Sequence, residues 1–244
     1  MRPMMGVAVA LAAGVAAATP AGAARLRWFG QACFEVVSNS GTRVVIDPFG
    51  ASVGYAVPEL EADLVLITHE HGDHNNAAAV KGDPVVLHGL QMNEETREVR
   101  GIQVHAVRTD HDAEGGAKRG KNTLFVLKLD GLVFAHCGDL GHVLTPAQVK
   151  AVGKVDVLML PVGGYYTIDA KAAARVVKQL EPRLVIPMHF KTEATPKLPI
   201  ADPLPFLDAA KEAGWTLRHA GSSRFSVERA RLPQQTTVVV LDYR

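Results

Sequence analysis

The stretch Leu64-Val65-Leu66-Ile67-Thr68-His69-Glu70-His71-Gly72-Asp73-His74-Asn75-Asn76 constrains this chain more than any other, because four apolar residues run straight into three imidazoles and the Asp73 carboxylate. An apolar run with no polar alternation suits a strand covered on both faces. A turn at Gly72 then gathers His69, His71, Asp73 and His74 at the strand end. Nitrogen and oxygen donors packed this closely hold together when a cation lies among them, and they are the donors that zinc and similar ions take. A lone His is ordinarily a hydrogen-bonded or exposed side chain. Four donors in six positions make a metal-site pattern.

The order His-x-His-x-Asp-His after an apolar strand resembles the signature of the metallo-β-lactamase superfamily. The resemblance implies an α/β fold, the four-layer αββα sandwich with two mixed β-sheets face to face, helices outside and two metals in a groove. It also implies three further ligands, and each has a candidate just past an apolar run. His111 follows Gln103 to Val107, Asp139 follows Leu132 to Ala135, and His189 follows Leu184-Val185 within Ile186-Pro187-Met188-His189-Phe190. On the family pattern His69, His71 and His111 hold one metal, Asp73, His74 and His189 the other, and Asp139 bridges them. A carboxylate at the bridging place, where a Cys is the alternative, can bind both cations about 3.5–4 Å apart, as in two-metal hydrolases.

Such a centre lowers the pKa of a shared water from 15.7 toward about 7, which makes a hydroxide nucleophile at neutral pH without a separate strong base. The expected function is therefore a dinuclear metal-dependent hydrolase, with a metal-bridging hydroxide that cleaves a lactone, ester or phosphoester bond of a small-molecule substrate. Asp73 also serves catalysis by orienting the nucleophile. The two divalent ions are zinc by availability in the exported compartment, while Mn2+ and Fe2+ suit the same donors. The competing readings are a β-lactam-hydrolysing enzyme and a non-catalytic metal-binding exported protein. A di-iron electron-transfer protein of this superfamily presents a carboxylate where His71 stands.

A closer resemblance is to the lactonase-like branch of predicted bacterial and archaeal metal-dependent hydrolases. It is carried by Gly138-Asp139, by Leu160-Pro161-Val162-Gly163-Gly164-Tyr165-Tyr166-Thr167 and by Ile186 to Phe190. The chain departs from that branch at Gln31, where a His is common. His142, three residues after Asp139, is a candidate to support the centre or to act as an acid, and His136 to support it. Tyr165 and Tyr166 are candidates for substrate contact or for packing.

Residues 1–23 read as a secretory signal peptide, with Arg2 as the basic start, an apolar run from about Gly6 to Ala18, and Ala21-Gly22-Ala23 as the small-residue cut. Residues 24–244 form one hydrolase domain, exported to the periplasm or secreted, with no stable membrane anchor expected. Removing residues 1–23 takes away Arg2 and no acid, so 26 basic against 25 acidic becomes 25 of each. A near-neutral chain lacks the extended cationic face that a phosphate backbone requires, and nucleic acid is not expected as a partner. Cys33 and Cys137 are too few for a disulfide framework.

The remaining pattern predicts a strand over Arg25–Val37 and another over Thr42–Asp47, joined by turn formers, with Phe49 and Tyr55 as walls of a cleft or as loop packing. It predicts a short helix over Asn75–Val80 that starts near Asp73, strands at Pro84–Leu87 and Ile102–Val107, and a solvated connection at Asn93–Arg100. Thr109–Asn122 reads as a mobile loop whose Lys118, Arg119 and Lys121 are solvated, the alternative being a lid over an anionic substrate. Asp130-Gly131 marks a hairpin, helices are expected at Thr145–Val152, Asp169–Leu180 and Pro203–Ala213, and Val238–Leu241 ends the sheet. Thr192–Pro205 is a second candidate rim.

Overall fold

The doubly apolar run 64–67 is explained by what covers it on each side. In the computed structural model, which describes residues 22–243, Leu64 and Leu66 join a large core between two sheets, whereas Val65 and Ile67 join a smaller cluster on the opposite face. The first sheet contains β1 (Ala24–Gly30), β2 (Cys33–Val37), β3 (Arg43–Ile46), β5 (Leu64–Ile67) and β7 (Val85–His88). The two-residue strands β4 (Leu60–Glu61) and β6 (Val80–Lys81) pair beside it. The second sheet contains β8 (Thr96–Val99), β9 (Ile102–Asp110), β10 (Lys121–Leu129), β11 (Leu132–His136), β12 (Val157–Pro161), β13 (Leu184–Met188), β14 (Thr216–His219) and β16 (Thr237–Val240). The sixth strand of the first sheet, β15 (Arg224–Val227), pairs with β1.

Both sheets are mixed, in the orders β15-β1-β2-β3-β5-β7 and β14-β16-β13-β12-β11-β10-β9-β8. β3, β5 and β7 are mutually parallel. β9 and β11 are each antiparallel to β10, and β11, β12 and β13 are parallel, so β9, β11, β12 and β13 all end on one edge of their sheet. That shared direction collects the ligand-bearing strand ends of the second sheet.

The outer layers of the sandwich are unequal. Over the second sheet lie α1 (Pro146–Val152), α2 (Ala170–Leu180) and α3 (Leu204–Glu212). Thr145 and Gln148 form a reciprocal capping box, and Asp169 accepts from the Ala172 N–H at 2.8 Å, so the first turns of α1 and α2 have partners for their free N–H groups. Ala173, Val176, Val177 and Leu180 are the buried face of α2, at the spacing read from sequence. The first sheet is covered instead by the segment from Phe49 to Ala62 and by short 3-10 turns. Phe49 and Tyr55 are buried there with ring centroids 5.6 Å apart, so they are packing residues and not cleft walls.

Several expectations change. The segment Arg25–Val37 is two strands, reversed at Gly30-Gln31, where both residues have positive φ (103° and 50°). Asn75–Val80 is a 3-10 turn at Ala77–Ala79 with no side-chain cap, because so short a segment has no apolar stripe to bury as an α-helix. Asn93–Arg100 contains the edge strand β8. Strand β9 runs past Val107 to Asp110, and the loop after it is tied down by Asp112, whose carboxylate accepts from the N–H groups of Glu114, Gly116, Lys118 and Arg119 at 2.8–2.9 Å. Desolvation opposes the Asp112 charge, but these four bonds together hold its carboxyl below the usual carboxylate range. Cys33 and Cys137 are buried, unpaired and in different clusters. The proposed signal peptide lies, apart from Gly22 and Ala23, outside the described residues.

Gly138 shows how closely the two sheets approach at their shared edge. A Cβ built there would stand 2.8 Å from Thr68 of the first sheet and closer still to Asn122 Oδ1 of the second, on a backbone with φ +53°. Gly138→Ala should therefore cost about 2–4 kcal/mol by thermal or urea unfolding, from overpacking plus a left-handed backbone. Gly72→Ala, with nothing near the added carbon, should change stability by about 0.5 kcal/mol or less. Equal effects of the two would overturn the close-approach account.

Candidate metal centre

Each donor predicted from sequence lies in the segment that follows a strand whose direction carries it to the same edge. His69, His71, Asp73 and His74 follow β5; His111 follows β9, Asp139 follows β11 and His189 follows β13. Together they form two groups, His69 with His71 and His111, and Asp73 with His74, Asp139 and His189, the candidate ligand atoms of each group lying within 4.8 Å of one another. Asp139 stands between the groups. Its Oδ2 lies 3.2 Å from His111 Nε2, 3.3 Å from His74 Nε2 and 3.4 Å from His189 Nε2. His69 Nε2 faces His71 Nδ1 at 3.1 Å. His69, His74, His111, Asp139 and His189 are buried, Asp73 is half-buried and His71 is exposed, so the centre opens on one side only.

A layer of hydrogen bonds aims these donors, and sequence reasoning missed its central member. Asp47, fully buried at the end of β3, accepts from Thr68 N–H at 2.8 Å and Thr68 O–H at 2.7 Å, and lies 2.9 Å from His74 Nδ1. Because the Thr68 hydroxyl donates to Asp47, its oxygen is left to accept from His69 Nδ1–H at 3.0 Å. Both imidazoles are thereby held with Nδ1 protonated and Nε2 facing inward. Asn122 accepts from the Asp139 N–H at 3.0 Å and donates to Thr109 Oγ1 and Cys137 O. The only sequence signals were an Asp at the end of one strand and a Thr at the end of its parallel neighbour.

The electrostatics fit a cation better than an empty cluster. Burial works against the Asp139 charge, yet His189 and His74 with the His111 hydrogen bond hold its carboxyl well below the usual range. Burial likewise opposes protonation of His74, but Asp139 and Asp47 raise its pKa well above the ordinary value. Desolvation opposes the Asp73 charge and is outweighed by His74, which lowers that carboxyl too. His69 is pushed down to about 3 by burial and by His74. Meanwhile Asp139 Oδ1 and His74 Nε2 are buried with no hydrogen-bond partner, a cost of about 1–3 kcal/mol each that a bound cation would remove. The donor chemistry and these orphaned atoms fit a divalent metal.

Around the centre, Gln31 is buried, and its Nε2 donates to Asp73 Oδ2 at 2.9 Å while lying 2.8 Å from His189 Nε2. The ring nitrogens of His136 meet backbone groups: its Nε2 lies 2.9 Å from Ala32 O, and its Nδ1 accepts from the N–H of Gly138, the residue before Asp139. His142 Nε2 accepts from the Asp110 N–H, and Nδ1 lies 2.9 Å from Val143 O, so both nitrogens serve the backbone beside His111. A cavity of about 500 Å3 opens over the centre, bounded by Gln31, His71, Asp73, Arg119, Tyr166 and Leu198. Lys118 and Arg119 thus border the cavity and do not merely point into solvent, and Leu198 brings the Thr192–Pro205 segment to its rim. Tyr165 is 63% exposed, with its ring 4.7 Å from that of Tyr166.

Residues 25–189 match the model of the beta-lactamase superfamily domain. A protein of Thermococcus onnurineus named as a UPF0173 metal-dependent hydrolase is 34% identical over 194 residues, covering 69% of this chain and 85% of that protein. This chain belongs to that family of metal-dependent hydrolases, within the metallo-β-lactamase superfamily. A crystal structure from Thermotoga maritima, of a protein proposed to be a Zn-dependent hydrolase of this superfamily, superposes on the hydrolase fold with TM-score 0.72 at 34% identity, covering 89% of this chain and 98% of that one. A Parabacteroides distasonis structure at 22% identity shares the fold, with TM-score 0.63 over 78% and 90% of the two chains.

Two predictions follow from the hydrolase's donor geometry. A metal-free His74 with a raised pKa stabilises the fold as the imidazolium fully below about pH 6.5 and loses that contribution as pH rises through the folded-state pKa. Metal must displace this proton, so loading at pH 7 should release protons, and affinity should fall on acidification. Calorimetric titrations in two buffers of different ionisation enthalpy read the release directly, and identical heats would refute it. Asp47→Asn should weaken metal binding by about 10- to 100-fold, since it disturbs the bonds that orient His69 and His74; unchanged affinity in a chelator competition would count against that role.

Proposed function

We propose that this chain is a dinuclear hydrolase that cleaves a lactone, ester or phosphoester bond of a small molecule, with His69, His71 and His111 holding one divalent ion, Asp73, His74 and His189 the other, and Asp139 both. The observation that carries the reading is the place of Asp139 Oδ2, within 3.2–3.4 Å of His111, His74 and His189, between the two donor groups. Ions held there supply Lewis-acid polarisation of the substrate oxygen and acidify water. Zinc is favoured by the description of the Thermotoga maritima relative.

The chain's own residues supply position. Asp73 stands on the open side with a carboxyl below the usual range, so at neutral pH it is ionised. It is suited to orient water by accepting a hydrogen bond and poorly suited to take its proton. The Gln31 amide N–H fixes Asp73 Oδ2 at 2.9 Å. A cavity of about 500 Å3 falls in the range of small-molecule sites and gives the centre an entrance, which a metal-storage site would not need. The near-neutral charge supports a small molecule over nucleic acid. Export rests on the residues 1–23 pattern, and N-terminal sequencing of the protein from a periplasmic or culture fraction tests it. Among the described residues no helix is long and apolar enough to cross a membrane.

The test is metal analysis followed by turnover on lactones, phosphodiesters and β-lactams. About two ions per chain are expected, with kcat/KM on the best substrate falling about 10³-fold or more on chelation or in Asp139→Ala. Turnover retained by either preparation would overturn the reading, and hydrolysis confined to β-lactams would favour the alternative enzyme.

A further inference from the structure

We infer that Arg119 anchors an anionic group, a carboxylate or phosphate, on the substrate of this centre; the inference rests on the proposed hydrolase reading and names the class of substrate it takes. The loop that carries Arg119 has three cations, and two are already paired. Lys118 Nζ binds Glu114, and Lys121 Nζ lies 2.7 Å from Asp110 Oδ1. Arg119 has no carboxylate in ion-pair reach among the described residues. Its guanidinium lies instead over the rings of Tyr166 at 5.6 Å and Tyr165 at 6.0 Å, and the residue borders the cavity above the metal centre.

A surface arginine on a charged loop is ordinarily a solvated one. Three observations separate this one from that default. Asp112 accepts the Arg119 N–H at 2.8 Å together with those of Glu114, Gly116 and Lys118, so the side chain departs from a fixed point. Two aromatic rings support its face, which leaves the planar edge, with its parallel N–H donors, free for a partner. One of those rings, on Tyr165, is 63% exposed on a left-handed backbone at φ +60°, a conformation a non-glycine residue holds against strain. The free edge of a guanidinium matches two oxygens of a carboxylate or phosphate. Val53 and Leu198 offer an apolar contribution to the same cavity, so the fitting substrate has a short apolar body between its anionic end and its scissile bond.

The experiment uses the metal-loaded protein and three p-nitrophenyl esters that share an acyl chain ending in methyl, carboxylate or phosphate. Wild type should favour at least one anionic ester over the neutral one by about 10-fold or more in kcat/KM, carried mainly by KM and weakened by salt. Whichever anionic member is preferred identifies the group. Arg119→Gln should collapse that preference, and Arg119→Lys should restore only part of it. A preference that survives Arg119→Gln, or an equal fall for neutral and anionic esters, would overturn the anchor. A second measurement does not depend on turnover: metal-free protein titrated with succinate and with inorganic phosphate, followed by intrinsic fluorescence. A saturable response in wild type that weakens about 10-fold in Arg119→Gln supports the anchor even if no ester is hydrolysed, in which case the hydrolase reading alone fails. No response in wild type, with no anionic preference in turnover, overturns the anchor; where the two measurements disagree, the turnover ratio decides.

Discussion

A single buried carboxylate sets the geometry of the centre. Asp47 is fully buried, sits on a left-handed backbone at φ +49°, and is bound by Thr68 through both N–H and O–H and by His74 through Nδ1. An isolated carboxylate in such a place would be expensive, and the hydrogen bonds are what make it tolerable. Their consequence is directional. The His69 and His74 imidazoles, with ring centroids 4.3 Å apart, are both oriented by this one acid, His69 through the Thr68 hydroxyl and His74 directly, and both present Nε2 to the same small volume. The parallel pairing of β3 with β5, in which Ile46 stands opposite Leu66, places Asp47 beside Thr68 and makes this possible.

The second dependence is the convergence of strand ends. β9, β11, β12 and β13 share a direction, so residues distant in sequence reach one edge without long excursions. The first sheet delivers Asp47 and the His69–His74 cluster to the same edge, and Gly138 lets the two edges close. A side chain at that position would press on Thr68 and Asn122 together, which are the residues that orient His69 and Asp139. Packing density and metal-centre geometry are therefore one constraint at this point of the fold.

What sequence could reveal follows from this division. The cluster from His69 to His74 was legible because its donors are neighbours in the chain, and the apolar runs of β5, β11, β12 and β13 because a doubly covered strand has few polar residues. Asp169 and Thr145 declared their helices through local capping chemistry. By contrast β14 and β15 are mostly exposed edge strands without an apolar run, and they become strands only through pairing with β16 and β1. The reversal at Gly30-Gln31 lies inside an apolar segment that reads as continuous. Asp47 and Asp112 look like any acid at a strand end or in a loop, since what distinguishes them is the set of donors that the tertiary fold turns toward them.

Gln31 is tied to both sheets. The tight reversal that hides it in the sequence also aims it, because its own carbonyl accepts from the Trp28 indole N–H at 3.0 Å and from the His189 N–H at 3.1 Å, tying the turn to both sheets. From that fixed backbone the amide Nε2 donates to Asp73 Oδ2 and lies beside His189 Nε2. The lactonase-like branch resembled here commonly has a histidine at this place, a side chain that can gain and lose a proton near neutral pH. An amide cannot. In this chain the position can hold a charge in place but can neither supply nor remove a proton, so any proton that moves on that side of the site must travel through water or through another residue.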